Sequence, residues 1–246
     1  LDKFKELFAG AQFGYAFRNT VYMALLNLTL GFIIPVILGL LISQVRNKRT
    51  SRVVQTTTYM PYFVAPVVVC TLAKEFLREG GAITMFLTMF GLPNQNWLAV
   101  NSPVFWFINC FLGVWQGAGY GAIVYIAAIN GIDQNLYEAA CIDGASRWQR
   151  LWNITIPSVV PLVVMMFTMQ IGLVFMTGFD KVLLLYMPTT YEFSDCLSTY
   201  TYRMAFSAGN DFSLSTASGL LQSIIGTLLL IFGNKMSEKA TKMSLF

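Results

Sequence analysis

Histidine is absent from the 246 residues, and charged side chains make up only 11% of them. The first absence removes Ser-His-Asp and Cys-His nucleophilic catalysis and every imidazole metal site. The second sets the chain apart from soluble domains, in which about a quarter of residues are charged. With 56% hydrophobic residues, it reads as an all-α membrane protein. Cys70, Cys110, Cys141 and Cys196 fall in four separate segments with no Cys-x-x-Cys spacing. Neither a disulfide framework nor a metal site is indicated, and the four read as small apolar residues. The stretch GVWQGAGYG lacks the Lys-Ser or Lys-Thr that completes a phosphate loop. No cofactor is therefore expected in this chain, and any ATP and Mg would be bound by a partner. A net charge of +4 without a basic face interleaved with exposed aromatics gives no reason to expect nucleic acid.

What is present is a series of long apolar runs. Residues 1–15 place Leu1, Phe4, Leu7, Phe8 and Ala11 at helical spacing, which suits either an interfacial helix or a mobile lead-in. Five spans follow, at about 17–45, 53–73, 103–129, 156–179 and 213–234, each long enough to cross a core of roughly 30 Å. Pro35 is expected to bend the first span, and Pro61 and Pro66 to kink the second, whose freed carbonyls then need partners from neighbouring helices. Beyond Arg18, no Asp, Glu, Lys or Arg lies within these runs. A carrier coupled to protons or sodium would want such groups at mid-membrane. Arg46, Lys48, Arg49 and Arg52 follow the first span at once, and Lys235, Lys239 and Lys242 follow the last. Such clusters mark cytoplasmic segments. That orientation puts 74–102, with a short helix around 83–90, and 180–212 outside, and 130–157 inside. Cys141 and Cys196 then lie in loops on opposite sides. The whole chain is read as one transmembrane domain.

The segment 133–157, DQNLYEAACIDGASRWQRLWNITIP, is the most polar long interruption between two spans. Asp133 suits an N-cap, residues 135–141 are good helix formers, and Gly144 reads as a bend between two short helices, because a mid-helix glycine costs roughly 1 kcal/mol. Pro157 is placed where the next helix starts. An amphipathic helix lying on the membrane surface is the plain alternative.

Glu138-Ala139-Ala140, Gly144, Ile154, Ile156 and Pro157 nonetheless fit a fixed pattern. This segment resembles the cytoplasmic EAA loop of ABC-importer permeases, with Ile156 standing where the family has Leu. The segments NKRTSRVVQTTTYMPYF (47–63), GIDQNLYEAACIDGASRWQ (131–149), FDKVLLLYMPTTYEFSDCLSTYTYR (179–203) and FSLSTASGLLQSIIG (212–226) are similar to the carbohydrate-uptake permeases of maltose-importer type that handle oligosaccharides released from polysaccharides. The resemblance implies a type I ABC-importer permease fold, usually with six helices, in a bacterial plasma (inner) membrane. The chain starts at Leu1 and shows five, so a missing first span is expected. The implied partners are a second homologous permease, two ATP-binding subunits and an extracytoplasmic solute-binding protein, with an oligosaccharide as cargo. Glu138, Ala139, Ala140, Asp143, Gly144, Arg147 and Pro157 would couple the permease to the ATPase, Glu138 pairing with a basic group there. A secondary transporter or a non-enzymatic membrane assembly subunit is the alternative function.

Sugar sites of this kind use amides and aromatic faces. Asn109, Gln116 and Tyr120 share one stripe of the third span, and Gln170, Thr177, Gln222 and Ser223 are offered by the later ones. Each suits either the substrate path or an interhelical hydrogen bond. Gly113, Gly117 and Gly121 form a doubled GxxxG, whose ordinary meaning is close helix packing. With only amides and aromatics, Trp115 included, in the spans, a neutral or weakly charged oligosaccharide is expected to fit better than a phosphorylated solute, and an acidic sugar stays open because the partner permease could supply the base.

Overall fold

The structure is a computed structural model that describes residues 2–175, 178–206 and 211–241. Thr177 and Lys242 lie outside the described residues. The described chain is helical, in the order α1 (Asp2–Ala9), α2 (Ala11–Ser43), α3 (Lys48–Phe63), α4 (Pro66–Leu77), α5 (Ala82–Thr88), α6 (Val104–Asn130), α7 (Gln134–Ile142), α8 (Arg147–Leu173), α9 (Phe179–Leu185), α10 (Tyr191–Ser194), α11 (Leu197–Phe206) and α12 (Phe212–Thr241). Among them α2, α6, α8 and α12 are each long and apolar enough to cross a membrane, and α3 with the helices after it makes a fifth crossing when the bent pair counts as one. The second half of α2 lies along α6, and α8 lies along α12.

The first and fourth expected spans both change shape at proline. Neither is simply bent or started by it. In α2 the residues Asn27–Gly31 form a π turn, ending four residues before Pro35. In α8 the π turn Leu151–Thr155 includes the residues just ahead of Pro157. A proline ring clashes with the carbonyl four residues back and leaves it without its helical donor. One wide turn at that place absorbs the misfit without ending the helix. Pro157 therefore lies inside a continuous helix that begins at Arg147, not at a helix start.

The second expected span is the larger correction. Lys48–Phe63 and Pro66–Thr88 meet at 91°. Pro66 fixes Ala65 in an extended conformation, φ −56° and ψ 137°, because a residue before proline is pushed out of the helical region. The break exposes the Val64 carbonyl, which accepts a hydrogen bond from Gln116 Nε2 at 2.7 Å. The partner that the sequence demanded for a freed carbonyl is thus supplied by the third span.

Two further readings are revised by packing. The stretch 180–212 is no open loop. Arg18 Nη2 and Asn19 Nδ2 donate to the Glu192 carbonyl at 2.6 and 3.0 Å, and Trp106 Nε1 donates to the Phe193 carbonyl at 2.7 Å. Leu185, Leu197, Tyr200 and Met204 are buried. This cap also encloses Cys196, between α10 and α11, which is buried in the core with its thiol pushed above the ordinary value by desolvation, so it is not the exposed loop cysteine that the sequence suggested. At the N-terminus only Asp2–Ala9 forms a separate helix. Leu7 is fully buried in the core beside Leu214 and Ala217, and Lys3 pairs with Asp211 at 2.9 Å, which ties α1 to the start of α12 and makes it no mobile lead-in.

Candidate coupling knob and transport cleft

The polar segment between α6 and α8 stands off the end of the bundle as a helical knob. Asp133 caps α7, its Oδ1 accepting from Asn135 N at 3.0 Å. The helix stops by a glycine-dependent arrangement. Gly144 takes φ +78°, Gly144 N donates to Cys141 O at 3.1 Å, and Ala145 N donates to Ala140 O at 2.8 Å. These are the two bonds of a Schellman motif, which satisfies the last carbonyls of the helix. Ser146 then starts α8 with a capping box closed by Gln149. Tyr137 Oη and Thr155 Oγ1 lie 2.8 Å apart and pin α7 against the first turns of α8.

The knob presents its functional candidates outward. Glu138, Ala139, Asp143, Gly144 and Arg147 are exposed and Ala140 is half-buried. Glu138 makes no ion pair among the described residues. Around them stand apolar side chains that sequence reasoning did not assign, Ile142 at 87% exposed, Trp148 at 68% and Leu136 at 51%. Exposed residues of this size on a short polar segment mark a contact surface, for another protein or for a membrane. Their signal in the sequence was the presence of large apolar side chains in a short, otherwise polar segment. Behind the knob a hollow of 610 Å³ is lined by Arg46, Arg147 and Arg150 with Gln134 and Tyr137.

The second site is a cleft of 490 Å³ within the bundle. The candidates from the stripe on α6 part company here. Asn109 lines the cleft, and Gln170 on α8 faces it from another wall. Gln116 is buried and committed to the Val64 carbonyl. Tyr120 stacks on Tyr62 with ring centroids 3.9 Å apart and planes 5° from parallel. Gln222 is held between Thr201 and Ser198 at 2.9 and 3.2 Å, joining α12 to α11. Asn27 and Lys181 also line the cleft. Neither was singled out, because Asn27 sits in an apolar run and Lys181 was placed in a loop.

The doubled GxxxG packs in part as its pattern predicts: Gly121 lies against α2, where a Cβ would come within 3.2 Å of the Pro35 Cβ. A Cβ on Gly117 would meet no atom within 4 Å, since this residue opens onto the cleft. A still closer approach is at Gly119, where a Cβ would collide with the Thr58 carbonyl of α3. Gly117→Leu is therefore expected to leave assembly intact and to obstruct transport. Gly119→Ala forces the backbones of α3 and α6 apart, at a cost of about 1–3 kcal/mol for overpacking. Complex yield measured beside uptake checks both, and low yield for Gly117→Leu with normal yield for Gly119→Ala would contradict this assignment.

A bundle of membrane helices, a largely apolar cleft with a few polar groups in it and an exposed helical knob are the features of a membrane transport subunit. The chain belongs to the family of binding-protein-dependent transport system inner membrane components, whose profile matches residues 31–242. It is 34% identical over 240 residues to the polygalacturonan/rhamnogalacturonan transport system permease protein YteP of Bacillus subtilis, covering 97% of this chain and 74% of that one. A bacterial ABC transporter involved in the import of the acidic polysaccharide alginate superposes with TM-score 0.92 at 37% identity, covering 98% of this chain and 84% of its own. A structure of the bacterial alginate ABC transporter in complex with an alginate pentasaccharide-bound periplasmic protein gives TM-score 0.93 at 36% identity, covering 100% of this chain and 85% of its own. The fold is that of an ABC-importer permease, and the chain is a multi-pass transport subunit.

Proposed function

We propose that this permease carries oligosaccharides across a bacterial plasma membrane, driven by ATP that a separate pair of subunits binds with Mg and hydrolyses. The observation that carries the reading is the knob. A capped nine-residue helix with an unpaired acidic residue and a rim of exposed apolar side chains stands clear of the bundle. It offers apolar contact and one charge to a cleft on an ATPase, where Glu138 would find its basic partner.

The long helices it is joined to, α6 before it and α8 after it, also wall the cleft. Closure of an ATPase dimer would draw two such knobs together and rock the paired permeases from inward- to outward-open, by rigid-body rotation around the cleft. A second homologous permease would supply the other half of the path, and an extracytoplasmic solute-binding protein would deliver the sugar. The alginate pentasaccharide carried by the periplasmic protein of the similar transporter supports an oligosaccharide as cargo.

The test is ATP hydrolysis by the reconstituted complex of permeases, ATPases and binding protein against acidic and neutral oligosaccharides. Stimulation by a subset of them is expected. A complex that assembles but responds to none would refute the substrate reading, and failure to assemble through the 130–157 segment would refute the coupling reading.

A further inference from the structure

The oligosaccharide reading leaves open the charge of the sugar, and the amides of the spans taken alone favour a neutral one. Lys181 changes the balance. It belongs to α9, which follows Gly178, and it is the only Lys or Arg that lines the cleft among the described residues. Its Nζ lies 3.7 Å from the point where a Cβ on Gly113 would sit, and Asn27 Oδ1 lies 4.0 Å from the same point. A glycine on α6 thus leaves room in front of an ammonium group and an amide oxygen.

Lys181 forms no salt bridge among the described residues. Burial lowers its pKa from the ordinary lysine value, an effect that the nearby Cys70 and Asp180 oppose. An ammonium group taken partly out of water without a carboxylate is costly, and an anion entering the cleft would remove that cost.

An independent observation on the same wall points to a ligand. Asn109 is only 5% exposed, its Oδ1 has no hydrogen-bond partner, and its Nδ2 meets Met23 Sδ at 3.5 Å. Whichever way the amide is turned, one polar end lacks a conventional partner. Buried amides are normally satisfied. The Asn109 oxygen is closed off just behind the cleft surface, and a turn of the side chain would present it to a hydroxyl group.

We propose that the cleft is built for oligosaccharides carrying carboxylates, with Lys181 pairing the carboxylate of a uronic acid unit and Asn109 bonding a ring hydroxyl of the same chain. This rests on the oligosaccharide reading above and specifies its substrate class. One ammonium matches a monoanion, whereas a phosphate dianion calls for additional Arg, Lys or backbone donors. Lysine also suits a passage better than a tight site. It is a point charge on a flexible stem, and it holds a carboxylate without the bidentate clamp of arginine.

The experiment measures uptake into proteoliposomes by the complete complex, with galacturonate and mannuronate trisaccharides, their methyl esters and maltotriose as probes. Acid and ester differ in charge at nearly constant shape. Wild type is expected to prefer an acid to its ester, and Lys181→Gln to lower that preference about tenfold or more, as loss of a hydrogen bond to a charged group would. Lys181→Arg should retain most of it. Gly113→Ala, whose Cβ makes only ordinary contacts, should reduce uptake of the acid more than of the ester. An unchanged acid-to-ester ratio in Lys181→Gln and Gly113→Ala, at wild-type complex yield, would overturn the proposal. Wild-type uptake of maltotriose or the esters without either acid would overturn the charge assignment alone. Uptake of none of these sugars would overturn the oligosaccharide reading with it.

Discussion

Substrate-stimulated ATP hydrolysis and sugar uptake are expected to fall to near background in a complex carrying Gly144→Val, while the permease inserts and is recovered at wild-type yield. The reason is confined to the backbone. Gly144 has φ +78°, and no atom lies within 4 Å of the place its Cβ would occupy, so valine would meet strain without collision. A left-handed conformation costs an ordinary residue roughly 1–2 kcal/mol, and more for a β-branched one. The knob can relieve that strain only by giving up the bonds from Gly144 N and Ala145 N that end α7. Glu138, Ile142 and Trp148 would then no longer be presented together. Gly144→Asn is the informative control, because asparagine tolerates the left-handed region, and it should retain most activity. Glu138→Ala is expected to weaken coupling without altering the turn. Normal uptake by Gly144→Val at normal complex yield would remove the knob from the mechanism.

The largest loss of stability is expected at the other end of the bundle, from Arg203→Met. Asp195 is 1% exposed and Arg203 8%, and the two form a salt bridge inside the cap. The carboxylate also accepts from Thr199 Oγ1 at 2.7 Å, and Arg203 Nη1 donates to Gln12 Oε1 at 3.2 Å. The guanidinium lies 4.3 Å from the centroid of the Tyr191 ring. Removing the arginine alone strands a buried carboxylate, a change that costs about 3–5 kcal/mol. Because Asn19 Nδ2 also binds the Asp195 carbonyl at 2.9 Å, the damage should spread to the contact between the cap and α2. Thermal unfolding of the purified permease in detergent would show a clearly lowered midpoint for Arg203→Met. The double variant Asp195→Leu with Arg203→Met should recover much of the loss, since a buried pair replaced by apolar groups is often neutral. Equal destabilisation of the single and double variants would show that the pair contributes through its shape and not through charge.

These two sites differ in how far they could be read from the sequence. The knob was legible because its determinants are local. Asp133 caps within two residues, Gly144 is required by one backbone conformation, and the polar segment is bounded by apolar runs. The cap was not. Asp195 and Arg203 look like ordinary loop charges until Asn19, Arg18 and Trp106, far away in sequence, bind the carbonyls of residues 192–195. The transport cleft was half legible. A shared helical stripe put Asn109, Gln116 and Tyr120 together, but Gln116 was claimed by a carbonyl freed at a break in another span, and Tyr120 by a stacking partner on that same span.

The sequence alone determined the solvent, the class of element and the capped, glycine-turned segment between two spans. Continuous apolar runs of about twenty residues, without the alternation of a barrel strand, satisfy their backbone polar groups in lipid as helices, and caps and glycine turns act over a few residues. Tertiary structure alone decided which polar side chains face the cleft. In a span that is apolar on most sides, helical periodicity assigns a residue to a face but not that face to a neighbour. A proline-induced break at Val64 and a helix turned back at Gly178 settled what met Gln116 and what reached Asn27 and Gly113. Lys181, outside every apolar run, entered the cleft only because the chain folds back over it.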